Sequence, residues 1–202
     1  YRSARPSYPH ALFDWLAAQA PHRELAWDCG CGNGQASVAL AAHFVRVFAS
    51  DPSANQIANA EPRANIDYHV EAAEQCSLPD HSASLVTVAQ ALHWFEVDAF
   101  HAQVRRVLEP RGVIAAWTYS DCHVDAAVDR VKDHLYIDLT APYWPPERRH
   151  VDAGYRTLPF PFTEIATPAF DMHAIWTLAQ FLAYLRSWSA SQRYLKTTGK
   201  DP

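Results

Sequence analysis

One stretch of the sequence decides the fold: Trp27-Asp28-Cys29-Gly30-Cys31-Gly32-Asn33-Gly34-Gln35. The apolar run Leu25–Trp27 leads into it and predicts a buried strand, while a helical segment follows from Gln35. Three of the chain's six glycines alternate within this loop, and glycine both adopts positive φ and lets a ligand approach the backbone closely. A strand, a glycine-rich loop and a helix in this order predict the ligand-binding corner of a doubly wound α/β sheet.

The spacing of the glycines separates two kinds of cofactor loop. The dinucleotide-binding fingerprint is G-x-G-x-x-G, and its third glycine packs the helix against the strand. Here the glycines follow a G-x-G-x-G pattern, and Gln35 stands where that third glycine would be. The pattern therefore counts against an NAD-type oxidoreductase, which stays open as an alternative because its fold is similar.

An acidic residue also follows the next predicted strand. Val45–Ala49 is strand-like, and Asp51 comes 23 residues after Asp28, directly before Pro52. Ligands of open α/β sheets bind outside the carboxyl ends of the strands, which is where both carboxylates are expected. A turn-forming role beside Pro52 is the alternative for Asp51, and a cap of the loop or helix is the alternative for Asp28.

Strands and helices alternate along the first part of the chain, which is typical of a parallel sheet covered by helices on both faces. The later strands are expected at Ile66–Val70, Leu85–Ala89 and Val113–Trp117, with a turn at Glu109–Gly112 before the last one. Ser7 is the expected cap of the first helix. Helices are predicted over residues 12–19, 35–42, 54–60, 97–108, 124–139 and 178–185, and extended segments over 162–166 and 169–175.

Composition argues against several classes of protein. The chain has 202 residues, 49% of them hydrophobic, which is enough for one well-buried domain. Its net charge of −5 and the lack of a basic run argue against nucleic-acid binding. No apolar stretch reaches the ~18 residues of a membrane span, and no charged-then-apolar signal segment opens the chain. Neither nucleic acid nor a membrane is therefore expected as a partner.

The four cysteines indicate packed thiols in a reducing compartment. Two of them, Cys29 and Cys31, lie inside the glycine loop, where a disulfide framework is not expected. These two cysteines and the scattered histidines also lack the paired spacing of a zinc site. We therefore expect a cytoplasmic protein without a metal centre.

The stretch Asp28–Gly34 resembles motif I of the class I S-adenosylmethionine (SAM)-dependent methyltransferases, which reads D-x-G-x-G-x-G. Four further segments resemble trans-aconitate methyltransferase-like proteins of the methyltransferase type 11 group. They are the lid-like Tyr1–Pro6, Ala73–Asp80 after the third strand, Gln90–Phe95 after the fourth, and Arg106–Gly112 before the fifth. The resemblance implies a Rossmann-like, mostly parallel sheet, SAM as the cofactor, and methyl transfer to a small molecule, for which a carboxylate is one candidate.

The resemblance also implies which residues surround the cofactor. The glycine loop lies against the methionine and ribose portion of SAM. Asp28 accepts hydrogen bonds from the loop and orients the methionine amino group, and Asp51 holds the ribose hydroxyls. The adenine lies near the Ala73 segment, and the lid segment contacts the cofactor or the acceptor. The implied cofactor-binding residues are Asp28, Gly30, Gly32, Gly34, Asp51, Pro52, Ala73, Glu74, Gln90, Tyr1 and Arg5.

Two departures from the family pattern matter. The family often has an acid where Ala72 stands, so backbone groups near Ala73 are expected to meet the adenine instead. The fold usually ends with an antiparallel hairpin whose last strand lies between the fifth and sixth, and no such strand is predicted before Pro202. We expect a single domain, C-terminally incomplete, made of a lid segment and first helix (1–20), a SAM-binding core (21–120) and an acceptor-side region (121–202).

His93 is the candidate catalytic residue, as a general base, because histidine titrates near neutral pH. The alternative is a packed histidine beside Trp94. An alcohol, amine or thiol acceptor can require a base, whereas an ionised carboxylate does not, and a SAM-binding protein without catalysis remains a further alternative. One or two of four arginines are candidates to bind an acidic acceptor by bidentate hydrogen bonds, the alternative being single solvated side chains: Arg148, Arg149, Arg186 and Arg193.

Overall fold

Five parallel strands form the sheet, in the order β3-β2-β1-β4-β5, which confirms the predicted doubly wound class. The computed structural model describes residues 6–119 and 121–202. The chain first builds outward from β1 and then crosses to β4 on the other side, so the strand order reverses between these two strands. The strands are β1 (Leu25–Cys29), β2 (Arg46–Asp51), β3 (Ile66–Val70), β4 (Ala83–Ala89) and β5 (Leu108–Trp117).

Helices cover both faces of this sheet, as expected for parallel strands that are apolar on both sides. On one face Phe100 packs against Trp27 of β1, with ring centroids 6.0 Å apart. On the other face Leu16 and Leu40 join Ala26 in a second buried cluster. The helices of this part are α1 (His10–Gln19), α2 (Gln35–Leu40), α3 (Ala54–Ala58) and α4 (Val97–Val107).

Two local predictions need correction. The residue before α1 is Pro9, which offers no side-chain cap, so Ser7 is not the cap that the sequence suggested. The turn predicted at Glu109–Gly112 lies inside β5 as a bulge, because the pairing with β4 jumps from Leu108 to Val113. Arg111 adopts a φ of 70° in this bulge, a left-handed conformation that glycine adopts more easily.

The contacts divide the chain into two units. Residues 8–119 and 150–171 form the unit that contains the sheet, and residues 121–149 and 172–202 fall into the other, so the single domain stays a prediction. The helices α6 and α8 are not predicted from the sequence, and residues 162–175 contain no strand. The later helices are α5 (Ala126–Asp133), continued by a π-helical turn (His134–Leu139), then α6 (Arg148–Asp152), α7 (Leu178–Arg186) and α8 (Ser189–Thr198).

The sheet ends at β5. Within the part of the chain that the structure describes, β5 pairs with β4 and with no other strand. A cavity of about 800 Å³ lies beside it, lined by β5, by α1 and by residues between 154 and 170. None of the helices in the described ranges is long and apolar enough to cross a membrane.

Candidate functional site

The three loop glycines all adopt positive φ, at 66°, 56° and 84°, but they do so for different reasons. A Cβ on Gly30 would lie 2.7 Å from Cβ of Ala91, and one on Gly34 would collide with the Tyr68 hydroxyl. A Cβ on Gly32 would meet nothing within 4 Å. Gly30 and Gly34 are therefore required by packing, whereas Gly32 borders the open side of the loop, where a ligand can approach.

Asp51 lies against this open glycine. Its Oδ2 accepts a hydrogen bond from the Gly32 N–H at 2.9 Å, and its Oδ1 accepts one from the Ser53 N–H at 2.9 Å. The neighbouring Cys31 N–H donates to the Ser50 carbonyl at 3.0 Å, so the loop is bonded to the end of β2 at two points. Asp51 is half-buried, and each carboxylate oxygen retains capacity for a further donor. Asp51 thus ends β2, at the carboxyl edge where it was expected, and its contact with a ribose stays a prediction.

Asp28 is placed differently from the prediction. It is fully buried, with its Oδ2 accepting from the Ser37 hydroxyl at 2.5 Å and its Oδ1 accepting from the Thr87 hydroxyl at 2.9 Å. Burial raises the pKa of Asp28 to about 6, although the Ser37 and Thr87 hydrogen bonds oppose that shift. The expectation that Asp28 accepts from the loop backbone is therefore wrong, because hydroxyls of α2 and β4 reach its oxygens instead. Contact with a cofactor amino group stays a prediction.

The segment after β3 brings Glu74 close to the start of α4. Glu74 accepts a hydrogen bond through Oε1 from the backbone N–H of Glu96, the residue before α4, at 2.9 Å. Ala73 is buried beside it. Glu74 thereby holds two of the loops at the carboxyl edge of the sheet together, and the predicted contact of Ala73 and Glu74 with adenine remains a prediction.

Gln90 joins the ends of β4 and β5. Its Nε2 donates to the Tyr119 carbonyl at 2.7 Å, and its Oε1 accepts from the Thr118 hydroxyl at 2.6 Å. The residue itself adopts a φ of 57°. Tyr8 packs edge-on against Trp117 at this strand end, with ring centroids 5.6 Å apart. Gln90 is thus placed at the predicted edge with its amide already bonded to the protein.

His93 lies in a short 3-10 turn, Leu92–Trp94, that follows β4. Its Nδ1 is 3.0 Å from the hydroxyl oxygen of Tyr155, and its ring lies 4.7 Å from that of Trp94 between centroids. Trp94 is 55% exposed and Tyr155 only 9%. His93 therefore has a buried phenol on one side and an exposed indole on the other.

The sequence did not identify the hydroxyl partners of this site. Thr87 interrupts the apolar run of β4, which is a signal that a buried polar partner exists but does not say which one. Tyr155 is 62 residues from His93, in a proline-rich stretch with no periodic pattern. Two predicted site residues, Tyr1 and Arg5, lie outside the described residues.

The candidate arginines belong to the other unit, and Arg186 and Arg148 have partners there. Arg186 binds Asp201 through two guanidinium nitrogens, the shorter contact being 2.6 Å. Arg148 lies over the ring of Trp144, 4.6 Å from its centroid. Their expected binding of an acidic acceptor remains a prediction.

Known proteins resemble the chain over most of its length. Residues 27–116 match the family model described as a methyltransferase domain. A Dictyostelium discoideum protein described as a "putative methyltransferase" is 34% identical over 100% of the chain and 78% of its own length. A solved structure from Anaeromyxobacter dehalogenans, described as a "putative type II methyltransferase", is 49% identical with a TM-score of 0.91, covering 98% of this chain and 84% of that one.

A yeast relative is described as a "probable S-adenosylmethionine-dependent methyltransferase" and is 29% identical over 59% of the chain. The chain spans 44% of that relative's length and 50% of a Mycobacterium tuberculosis methyltransferase, about half in each case. None of the four relatives named here is described as acting on trans-aconitate, so that part of the resemblance stays a prediction. Methyltransferases of this fold take their methyl group from SAM. The match to the Dictyostelium protein over the whole of this chain, the match to the domain model and the fold together show that the chain belongs to the methyltransferase family.

Proposed function

We propose that the chain transfers a methyl group from SAM to a small-molecule acceptor. The observation that carries the proposal is the carboxylate of Asp51 bonded to the N–H of Gly32, at the open side of the glycine loop. The residues present fit the cofactor, because Gly32 leaves room for close approach and the Asp51 oxygens have lone pairs left for two ribose hydroxyls.

In this proposal the residues around the glycine loop have different roles. Asp51 accepts from the ribose hydroxyls, and the loop around Gly32 lies against the methionine portion. Ala73 and the backbone beside it meet the adenine, and Glu74 holds that segment against the start of α4. Asp28 acts beneath the loop by fixing the relative position of β1, α2 and β4 through Ser37 and Thr87.

Catalysis in this proposal is mainly a matter of position. SAM supplies a methyl group on a sulfonium, which an acceptor lone pair displaces in line. The protein contributes by holding the acceptor at near-attack distance, which can account for several orders of magnitude in rate. An ionised carboxylate, the acceptor class that we propose, needs no base. An alcohol, amine or thiol acceptor would require a base, for which His93 is the candidate.

The proposal is tested by transfer of labelled methyl from SAM to a cell extract, separated into small molecules and macromolecules. We expect label in the small-molecule fraction with wild-type protein and at least tenfold less with Asp51→Ala. The matched control is Asp67→Ala. It removes an exposed carboxylate of the edge strand β3 that pairs with Arg46 of β2. Label confined to macromolecules would contradict the small-molecule acceptor.

The carboxylate acceptor has its own test. Small di- and tricarboxylates are added in turn to the reaction, and a methyl ester is sought as the product. If none forms while other small molecules are labelled, the acceptor is of another class. If SAM binds and no label is transferred anywhere, the chain is a SAM-binding protein without catalysis, and preferential binding of NADH would favour the oxidoreductase.

A further inference from the structure

Tyr155 owes its position to the way α6 ends. The N–H of Tyr155 donates to the His150 carbonyl at 2.7 Å, and the N–H of Gly154 donates to the Val151 carbonyl at 2.9 Å. This pair of bonds is the Schellman motif, which places a glycine in the left-handed conformation just after the helix. Gly154 has a φ of 57°, as the motif requires. The chain therefore reverses direction at Gly154 and carries the next residue towards the sheet.

Tyr155 also adopts a left-handed conformation, with a φ of 63°. Bulky residues rarely adopt this conformation, and residues held in it concentrate at functional sites. Its ring is packed in the same buried cluster as Leu92 and Val151, so the surrounding core fixes its direction. The phenol is thereby held rigidly beneath the turn that carries His93.

The hydroxyl of Tyr155 meets His93 at a defined atom. Its oxygen is 3.0 Å from Nδ1 of His93, and the two rings lie 5.9 Å apart at an angle of 36°. In a neutral pair the phenol is the better donor and the unprotonated imidazole nitrogen is the better acceptor. A hydroxyl that donates to Nδ1 leaves the imidazole hydrogen on Nε2.

We propose that Tyr155 is a positioning residue that fixes the orientation and the tautomer of His93, with the hydrogen of the neutral imidazole on Nε2. A nitrogen that already carries hydrogen cannot take a proton, so this arrangement opposes the general-base role predicted for His93. It suits an acceptor whose reacting atom needs orientation and no deprotonation. The proposal rests on the proposed function only where it gives His93 a part in orienting the acceptor.

The tautomer can be measured without any activity. Protein labelled with ¹⁵N in the histidine rings is studied by NMR about two pH units above the usual histidine pKa of about 6.5, where histidine is neutral. The His93→Gln variant identifies the His93 signals among the chain's 11 histidines. We expect hydrogen on Nε2 and a hydrogen-bonded, unprotonated Nδ1. Hydrogen on Nδ1 would overturn the proposal.

The role of the hydroxyl is isolated by Tyr155→Phe, which keeps the buried ring. The Nδ1 signal of His93 should shift in this variant and stay unchanged in Tyr194→Phe, a tyrosine packed against Tyr143 in the other unit. An unchanged Nδ1 signal in Tyr155→Phe would overturn the proposal. If Tyr155→Phe does not fold, the wild-type tautomer alone decides.

Activity separates this inference from the proposed function. With the small-molecule fraction of the cell extract as the acceptor, Tyr155→Phe should lower the rate of methyl transfer by about three- to tenfold, which is the effect of losing one neutral hydrogen bond. Its affinity for adenosylhomocysteine should equal that of wild type. A wild-type protein that transfers no methyl would sink the proposed function and leave the NMR result standing, whereas a full rate in Tyr155→Phe would show that the pair has no role in transfer.

Discussion

At the scale of single residues, Asp28 shows that a motif position does not fix a side chain's partners. The sequence places it beside the glycines, but the structure buries it completely between the hydroxyls of Ser37 and Thr87. Those hydrogen bonds favour the charged carboxylate, yet loss of water favours the neutral acid more strongly, so its pKa rises to about 6. Asp28 is therefore part of the support of the loop and titrates close to neutral pH.

This pKa predicts a dependence of stability on pH. Because the folded protein holds the Asp28 proton more tightly than the unfolded chain, the free energy of unfolding falls as pH rises from about 4 to about 6 and changes no further above that. The total is on the order of 3 kcal/mol, at about 1.4 kcal/mol for each pKa unit. Urea unfolding of the ligand-free protein at a series of pH values measures it.

The Asp28→Asn variant removes this titration, so its unfolding free energy should lack the decline between pH 4 and 6. Asp67→Asn alters an exposed carboxylate and should keep the decline of the wild-type protein. Parallel pH profiles for Asp28→Asn and wild type would show that Asp28 is ionised throughout and that burial does not control it.

At the scale of elements, two alanine substitutions in the glycine loop should lower the stability of the protein by different amounts. Gly30→Ala brings a Cβ within 2.7 Å of Ala91 in addition to the strained φ, so we expect a loss of about 3 kcal/mol in unfolding free energy. Gly32→Ala has the strained φ without the collision, so the loss should be about 1 kcal/mol. Chemical denaturation of both variants gives the two values.

The order of the two variants should reverse when binding of adenosylhomocysteine is measured: Gly32→Ala, which loses less stability, should lose more affinity. Gly32→Ala fills the open side of the loop and should weaken adenosylhomocysteine by at least tenfold while the protein stays folded. Equal destabilisation of the two variants, or full affinity in Gly32→Ala, would contradict the assignment of Gly32 to the ligand side.

The sheet was the most predictable element. The expected Ile66–Val70 coincides with β3, and the expected Leu85–Ala89 and Val113–Trp117 lie within β4 and β5. Periodicity could not show α6, which has five residues, or the bulge in β5, because the jump in its pairing depends on contacts with β4. Residues 162–175 are rich in aromatic and β-branched side chains and resemble strands locally, yet no strand of the described residues pairs with them.

The site was predictable where neighbouring loops meet and not where distant residues converge. Parallel strands bring their carboxyl ends to one edge, which is why the contact of Asp51 with the glycine loop follows from spacing. Thr87 is 59 residues from Asp28 and Tyr155 is 62 from His93, so only the tertiary fold reveals these pairs.

At the scale of the whole molecule, the unit without the sheet depends on a buried charge. The side chain of Lys132 is only 1% exposed, and its ammonium binds the Asp121 carboxylate and the Cys122 carbonyl. Removal of one partner of such a pair leaves the other without compensation. Lys132→Ala should therefore lower the unfolding free energy by about 3 kcal/mol, measured by urea denaturation.

The exposed Lys196 of α8 provides the comparison. Lys196→Ala should change the unfolding free energy by less than about 0.5 kcal/mol, as is usual for surface positions. Equal values for the two variants would show that the buried ammonium contributes nothing to this unit.

The central claim is that Asp51, bonded to the loop through Gly32, binds the ribose of the cofactor. Isothermal titration of adenosylhomocysteine tests it most directly, with wild type, Asp51→Ala and the surface control Asp67→Ala compared. We expect saturable heat for wild type and the control, and an affinity about 10- to 100-fold weaker for Asp51→Ala, since charged hydrogen bonds are lost. No heat with wild type, or equal affinity in Asp51→Ala, would contradict the claim.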